Sequence, residues 1–273
     1  MHLEGHLKSF DGTDLYYVKD MPEQSNALVI VIHGLCEHLG RYGYLTDKLT
    51  DKNFGVYRFD NRGHGKSGGK RGYVDDFNDF ILDADKVVEL ARTEYPKLPV
   101  FMFGHSMGGF ITAAYGAKYS DKLTGQVLSG AAVTDLPAFS ELKSTRIFER
   151  DPEYKIPNTL SSLISRDKSV VEAYDSDPLV LKEITAKLAG EVFVNGIDWL
   201  SKNITSYKYP CLILHGKNDQ IVLNQASIWM YENISSKDKE IKLYKDCFHE
   251  ILNEKDEKDT VIADIINWLN KRI

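Results

Sequence analysis

The run VFMFGHSMGGFITAAYGA, residues 100–117, decides the reading of this chain. It opens with apolar residues suited to a strand buried on both faces, turns at glycines, and continues as an apolar helix. Ser106 sits at the turn. Around it, Gly104-His105-Ser106-Met107-Gly108 fits G-x-S-x-G, the pattern of a nucleophile held at a sharp strand-to-helix corner. Such a corner strains the serine backbone and leaves no room for a Cβ two residues to either side, so glycine is needed at 104 and 108. Gly109 lets the helix pack closely on the strand, and the helix start aims free N–H groups at the serine. The competing account is a tight turn with an idle serine. The buried strand and apolar helix on either side weigh against it.

Outward from this corner, strands alternate with helices. Residues 27–33 (ALVIVIH), 55–60, 100–104, 125–132, 211–216 and 241–247 read as strands; 41–52, 75–95, 107–119 and 258–273 read as helices. Residues 6–19 read as two short strands joined by a turn at Phe10-Asp11-Gly12-Thr13. This alternation predicts an α/β fold with a mostly parallel sheet and helices on both faces. From 134 to 207 it stops: only short helical patterns remain, punctuated by Pro137, Pro152, Pro157 and Pro178, and no strand is expected. Structureless stretches of that length are uncommon in compact domains. The segment therefore reads as a helical cap over the carboxyl edge of the sheet. It divides the chain into a core of residues 1–133 and 208–273 and a cap of residues 134–207.

A serine hydroxyl needs a base and an orienting acid. In folds built around this elbow the acid and then the histidine follow the serine along the chain. Asp219 comes just after the strand CLILHG, and His249 just after the strand IKLYKDC. Both lie at carboxyl ends of strands, where catalytic groups gather in open α/β sheets. Asp135 is a rival acid that reads better as a turn residue. His105 is expected to point away from the serine, and His33 and His215 to be structural. An oxyanion intermediate needs two donors. The Met107 N–H, directly after the serine, and the Leu35 N–H, in the loop after the strand ALVIVIH, are the candidates.

Other classes are disfavoured. Net charge is −6 with no basic stripe, which argues against a nucleic-acid partner. Gly65-Lys66-Ser67 resembles the end of a phosphate-binding loop, but Asp60 stands where its first glycine is required. His33, His38 and His64 lack metal-ligand spacing, so neither metal nor cofactor is expected. Cys36, Cys211 and Cys247 are widely spaced and odd in number, and the start of the chain shows no signal pattern. A cytoplasmic protein is expected.

The motifs HGLCEHLGRY (33–42), FDNRGHGKSGGKRGYVDDFNDFILD (59–83), GHSMGG (104–109), YDSDPLV (174–180), LHGKNDQIV (214–222) and FHEILNE (248–254) occur here in one order. That order resembles the monoacylglycerol lipases, α/β-hydrolases grouped with serine-aminopeptidase-like lysophospholipases. The resemblance runs from about residue 5 to the end of the chain. It implies the α/β-hydrolase fold with a cap, and hydrolysis of a lipid ester, monoacylglycerol, without a cofactor. By position it implies Ser106, Asp219 and His249 as the catalytic triad and Leu35 and Met107 as oxyanion donors. It also places Glu37, Arg41 and Tyr174 near the glycerol end of the pocket. Two positions depart from the family pattern: Leu252 stands where animal members often carry a second histidine, and Cys36 where a small residue is common. Lysophospholipase and short-chain carboxylesterase activities remain alternatives within the enzyme class, and a ligand-binding receptor on the same scaffold is one outside it. Apolar cap residues such as Leu142, Phe148, Leu160, Ile164 and Val192 are candidates for an acyl tunnel or a transient membrane contact. Simple packing of the cap is the competing account.

Overall fold

The computed structural model, which describes residues 1–273, begins with a hairpin of β1 (His2–Lys8) and β2 (Asp14–Asp20). Ser9 N donates to Thr13 O at 2.9 Å across the turn, and Gly12 takes φ +86°. Then come β3 (Ala27–Ile32), α1 (Gly43–Thr50), β4 (Phe54–Phe59), α2 (Asn78–Glu94), β5 (Val100–His105), α3 (Met107–Lys118) and β6 (Gly125–Ser129). The segment 134–207 holds α4 (Ser140–Thr145), α5 (Ile147–Arg150), α6 (Ser161–Ile164), α7 (Lys168–Ser176), α8 (Ala186–Gly190) and α9 (Ile197–Asn203). It also holds two short strands, β7 (Lys155–Pro157) and β8 (Glu183–Thr185). The chain closes with β9 (Cys211–Gly216), α10 (Gln225–Asn233), β10 (Lys239–Tyr244) and α11 (Lys258–Asn270).

Eight strands form one sheet in the order β1-β2-β4-β3-β5-β6-β9-β10. The β1–β2 and β2–β4 pairings are antiparallel and the others parallel. The central strands are apolar throughout because both faces are covered, and successive residues serve opposite cores. Leu28, Ile30 and Ile32 face one core, with Phe80 and Val87 of α2 and Phe110 and Ile111 of α3. Ala27, Val29 and Val31 face the other, with Leu45 and Leu49 of α1 and Ile262, Ile265 and Trp268 of α11. Met102 divides from Phe101 and Phe103 in the same way, and Ile213 from Leu212 and Leu214. Phe148, Leu188 and Val192 of the 134–207 segment join the first core, beside α3.

The structure departs from the sequence reading at a few boundaries. The β6 strand stops at Ser129 because Gly130, at φ +53°, turns the chain toward the elbow. The α2 helix begins at Asn78, after the Asp76 carboxylate takes the Asn78 N–H at 2.8 Å. The unexpected β7 and β8 pair antiparallel, Lys155 opposite Thr185. Three residues each are too few to show an alternating pattern.

Candidate active site

Ser106 stands between β5 and α3 at φ 55° and ψ −116°. A non-glycine residue so placed costs about 1–3 kcal/mol. Neighbouring backbone holds it: Ser106 N donates to Ser129 O (3.0 Å), and Ser106 O accepts from Phe110 N (3.0 Å) and Ala132 N (3.1 Å). A Cβ on Gly104 would lie 2.1 Å from Gly108 O, and one on Gly108 would lie 2.2 Å from Ile32 O. On Gly109 it would meet Ala131 Cβ at 2.6 Å. The elbow needs glycine at 104 and 108 for room to pass other backbone.

Asp219 follows β9 in a tight turn and is buried. Its Oδ1 accepts from Ile221 N (2.9 Å) and Val222 N (3.0 Å). Its Oδ2 faces His249 Nδ1 at 2.6 Å and His215 Nε2 at 3.0 Å. His215 Nε2 also lies 2.8 Å from Val222 O, while its Nδ1 lies 2.7 Å from Ser227 Oγ. With two acceptors before it, Nε2 carries the proton, and Nδ1 accepts from the Ser227 hydroxyl. Burial alone would raise the Asp219 carboxyl. The charge of His249 and the hydrogen bonds from both imidazoles outweigh it and hold Asp219 well below the usual carboxylate range. Burial would likewise lower His249, but Asp219 beside it, and then Glu250 and Glu37, raise it above 6.5. Donating from Nδ1 leaves His249 with Nε2 as its basic nitrogen.

Ser106 and His249 line one small cavity, together with Leu35, Leu160, Ile164 and Ile221 and the acidic Glu37 and Glu250. Met107, as the first residue of α3, has an N–H with no carbonyl a turn back to receive it. The Leu35 N–H donates to no backbone carbonyl. The loop carrying it comes close to the serine: a Cβ on Gly34 would stand 3.1 Å from Ser106 Cβ. His105, expected to point away, instead lays its ring against His249 with centroids 4.6 Å apart and lines this cavity too. Burial, and then the neighbouring His249, lower it to about 4, so it is neutral. Asp135 lies far from this arrangement in bonding terms: it is exposed and paired to Lys143 Nζ at 2.8 Å.

Glu37, Arg41 and Tyr174 do come together, but as a braced cluster. Glu37 Oε1 accepts from Gly34 N (2.6 Å) and the Tyr42 hydroxyl (2.7 Å), and Oε2 from Arg41 Nη1 (2.9 Å). Burial would raise the Glu37 carboxyl, but Arg41 above all brings it down to about 2. The Arg41 guanidinium lies over the Tyr174 ring, 4.9 Å from its centroid. It also forks onto Glu250, with Nη1–Oε1 at 2.5 Å and Nη2–Oε2 at 2.8 Å. Arg41 lines a second small cavity with Tyr44, Leu252 and Asn253; this one shares Glu37, His105 and Glu250 with the first.

Residues 161–181 are fastened to the loops at 36–38 and 249–254. On one side Leu181 N donates to Cys36 O (2.8 Å), and His38 Nε2 donates to Asp177 Oδ2 (2.8 Å). On the other, Glu250 N donates to Ile164 O (2.7 Å) and Ser165 Oγ to Asn253 O (3.3 Å). Glu254, 1 % exposed, accepts from Phe248 N (2.8 Å), Arg166 N (3.3 Å) and Arg166 Nε (2.9 Å). Sequence reasoning quoted Glu250 and Glu254 within FHEILNE but assigned them nothing. The signal was their closeness to His249. Of the apolar candidates in this segment, Leu160 and Ile164 reach the Ser106 cavity, whereas Leu142, Phe148 and Val192 pack in the core without lining it.

An eight-stranded, mostly parallel sheet presents a strained serine on its central elbow, with His249 in the same cavity wall and Asp219 buried behind it. The class so defined is the serine hydrolases of the α/β-hydrolase fold. Residues 23–256 match the family described as serine aminopeptidase, S33, and the chain belongs to it. It is 32% identical to the monoacylglycerol lipase of Mycolicibacterium smegmatis over 89% of this chain and 87% of that one. It is likewise 32% identical to the mouse monoglyceride lipase, over 98% of this chain and 90% of that one. Among solved structures, the monoacylglycerol lipase of Paleococcus ferrophilus superposes with a TM-score of 0.86 at 33% identity, covering 95% of this chain and 99% of that one.

Proposed function

We propose that this hydrolase cleaves monoacylglycerols through an acyl-enzyme on Ser106, with residues 134–207 as the cap that selects the substrate. Ser106 Oγ attacks the ester carbonyl while His249 Nε2 takes its proton. Asp219 fixes the imidazole tautomer and stabilises its charged form. The Leu35 and Met107 N–H groups receive the oxyanion. The intermediate collapses, the C–O bond to glycerol breaks, and His249 returns the proton to the leaving oxygen. Water, deprotonated by His249, then attacks the acyl carbonyl; the bond to Ser106 Oγ breaks, His249 returns the proton to Oγ, and the fatty acid leaves. The observation that carries this reading is that His249, held by Asp219 at 2.6 Å, shares one cavity wall with Ser106. Support for the substrate comes from the named relatives and from the apolar Leu160, Ile164 and Ile221 lining beside a polar end. No helix is long and apolar enough to cross a membrane. A cytoplasmic location belongs to the reading on the strength of three buried free cysteines.

The test is a hydrolysis panel of monoacyl-, diacyl- and triacylglycerols, lysophospholipids and short esters, run with Ser106→Ala alongside. Monoacylglycerol should be the best substrate, and the variant should be inert toward all of them and toward a fluorophosphonate probe. Labelling of the variant would sink the nucleophile. A strong preference for short water-soluble esters would sink the lipid substrate while leaving the triad standing.

A further inference from the structure

We propose that Glu250 sets the head-group charge this site accepts: by occupying Arg41 in a bidentate bridge, it denies a substrate phosphate the one cation near the cavity and keeps the polar end net negative. Uncharged monoacylglycerols then enter, and lysophospholipids with anionic head groups are refused. This rests on the triad and substrate proposed above.

The geometry begins at His249. The histidine that protonates the leaving alkoxide must stand beside it, so the head group lies on the His249 side of Ser106. Glu250 follows His249 in the chain and lines the same cavity, as does Glu37. Arg41 stands behind both, and no lysine or second arginine lines either cavity. An arginine beside a lipid head group would ordinarily suggest phosphate recognition. This one is engaged. Nη1 and Nη2 fork onto Glu250, Nη1 also reaches Glu37, and the guanidinium lies over the Tyr174 ring. Glu250 is fixed in turn, its Oε2 accepting from Asn253 Nδ2 at 2.8 Å. The pairs are nearly dry, with side-chain exposures of 11% for Arg41, 6% for Glu250 and 4% for Glu37.

The charge balance follows. His105 is neutral, and His249 must be neutral to act as a base. Around the reacting centre stand the carboxylates of Asp219, Glu37 and Glu250 against the single guanidinium of Arg41. A phosphate placed there would meet like charge at short range in a poorly solvated cavity. A glycerol head group meets acceptors for its hydroxyls. Refusal by like charge can discriminate more sharply than added attraction.

The decisive comparison is Glu250→Gln against the native enzyme. The measured quantity is the ratio of kcat/KM for 1-octanoylglycerol to that for 1-octanoyl lysophosphatidate, both as monomers. The ratio cancels damage to His249, because both substrates use the same machinery. The native enzyme should favour the neutral lipid by about tenfold or more, and Glu250→Gln should shift the ratio toward the lysophosphatidate by about tenfold. Arg41→Gln, which leaves the carboxylates without their cation, should shift it the other way. An unchanged ratio in Glu250→Gln overturns the proposal, as does a native enzyme that cleaves both lipids equally well. Turnover of p-nitrophenyl esters with neither lipid cleaved would instead overturn the substrate reading itself, and this inference with it.

Discussion

Replacing Glu254 by alanine should slow catalysis by loosening the loop that carries His249. Glu254 is buried and receives the N–H of Phe248, the residue just before His249. Without the carboxylate that N–H is orphaned, at a cost of about 1–3 kcal/mol. The Arg166 pair adds about 0.2–1 kcal/mol, because Arg166 is 36% exposed at its side chain and solvent screens it. The sum corresponds to a Tm lowered by about 2–8 °C for a domain of this size. The catalytic effect has a separate origin. A displacement of the base by about 1 Å is worth about a hundredfold in rate, so kcat should fall between about ten- and a hundredfold. KM should hold, since Glu254 does not line the Ser106 cavity. Glu254→Gln keeps an acceptor for Phe248 N and should recover most of kcat. The assay is steady-state hydrolysis of a p-nitrophenyl ester, with thermal unfolding followed by circular dichroism. A lowered Tm with kcat within about twofold of the native value would refute the reasoning. Glu254 would then hold the fold without positioning the base.

The raised pKa of His249 fixes the sign of the pH response: the neutral base is lost as pH falls, so the acid limb of kcat/KM should have its midpoint above 6.5, and a midpoint below that contradicts it. Gly108→Ala drives a methyl to 2.2 Å from Ile32 O; soluble expression should collapse, and a folded variant with native fluorophosphonate labelling would show that the elbow tolerates a side chain. Burial pushes the thiols of Cys36, Cys211 and Cys247 up to about 12. The native enzyme should therefore take up no maleimide and lose no activity at pH 8, and rapid inactivation would contradict that.

What could be read from the chain was local. The elbow announces itself because its requirements for glycine, serine and apolar flanks all fall within one short run. The turn after β9 and the one after β10 each mark a strand end, which points to Asp219 and His249, and the structure brings these two to 2.6 Å of each other. Contacts made across the chain left no such trace. Arg41 and Glu250 are 209 residues apart, and either alone looks like an ordinary polar residue. The resemblance placed Glu37 and Arg41 near the head group, yet it could not show that their hydrogen-bonding capacity is largely spent on Gly34, Tyr42 and Glu250. A strained elbow alone predicts that the His105 side chain is thrown aside. In fact Ser129 O, 3.1 Å from Nδ1, turns the ring back against His249. The β7–β8 pair is held by tertiary context, with Thr185 N donating to Gly72 O at 2.9 Å.

The fastening of residues 161–181 to the loops at 36–38 and 249–254 bears on how such enzymes can be recombined. A chimera that replaced residues 134–207 by a segment without counterparts of Asp177 and Arg166 would break the His38–Asp177 and Arg166–Glu254 pairs and leave their buried partners unmatched. The unit of exchange is therefore discontinuous. A transplanted segment has to match the two loops it is fastened to or bring its own versions of them, so the three segments are exchanged as one part.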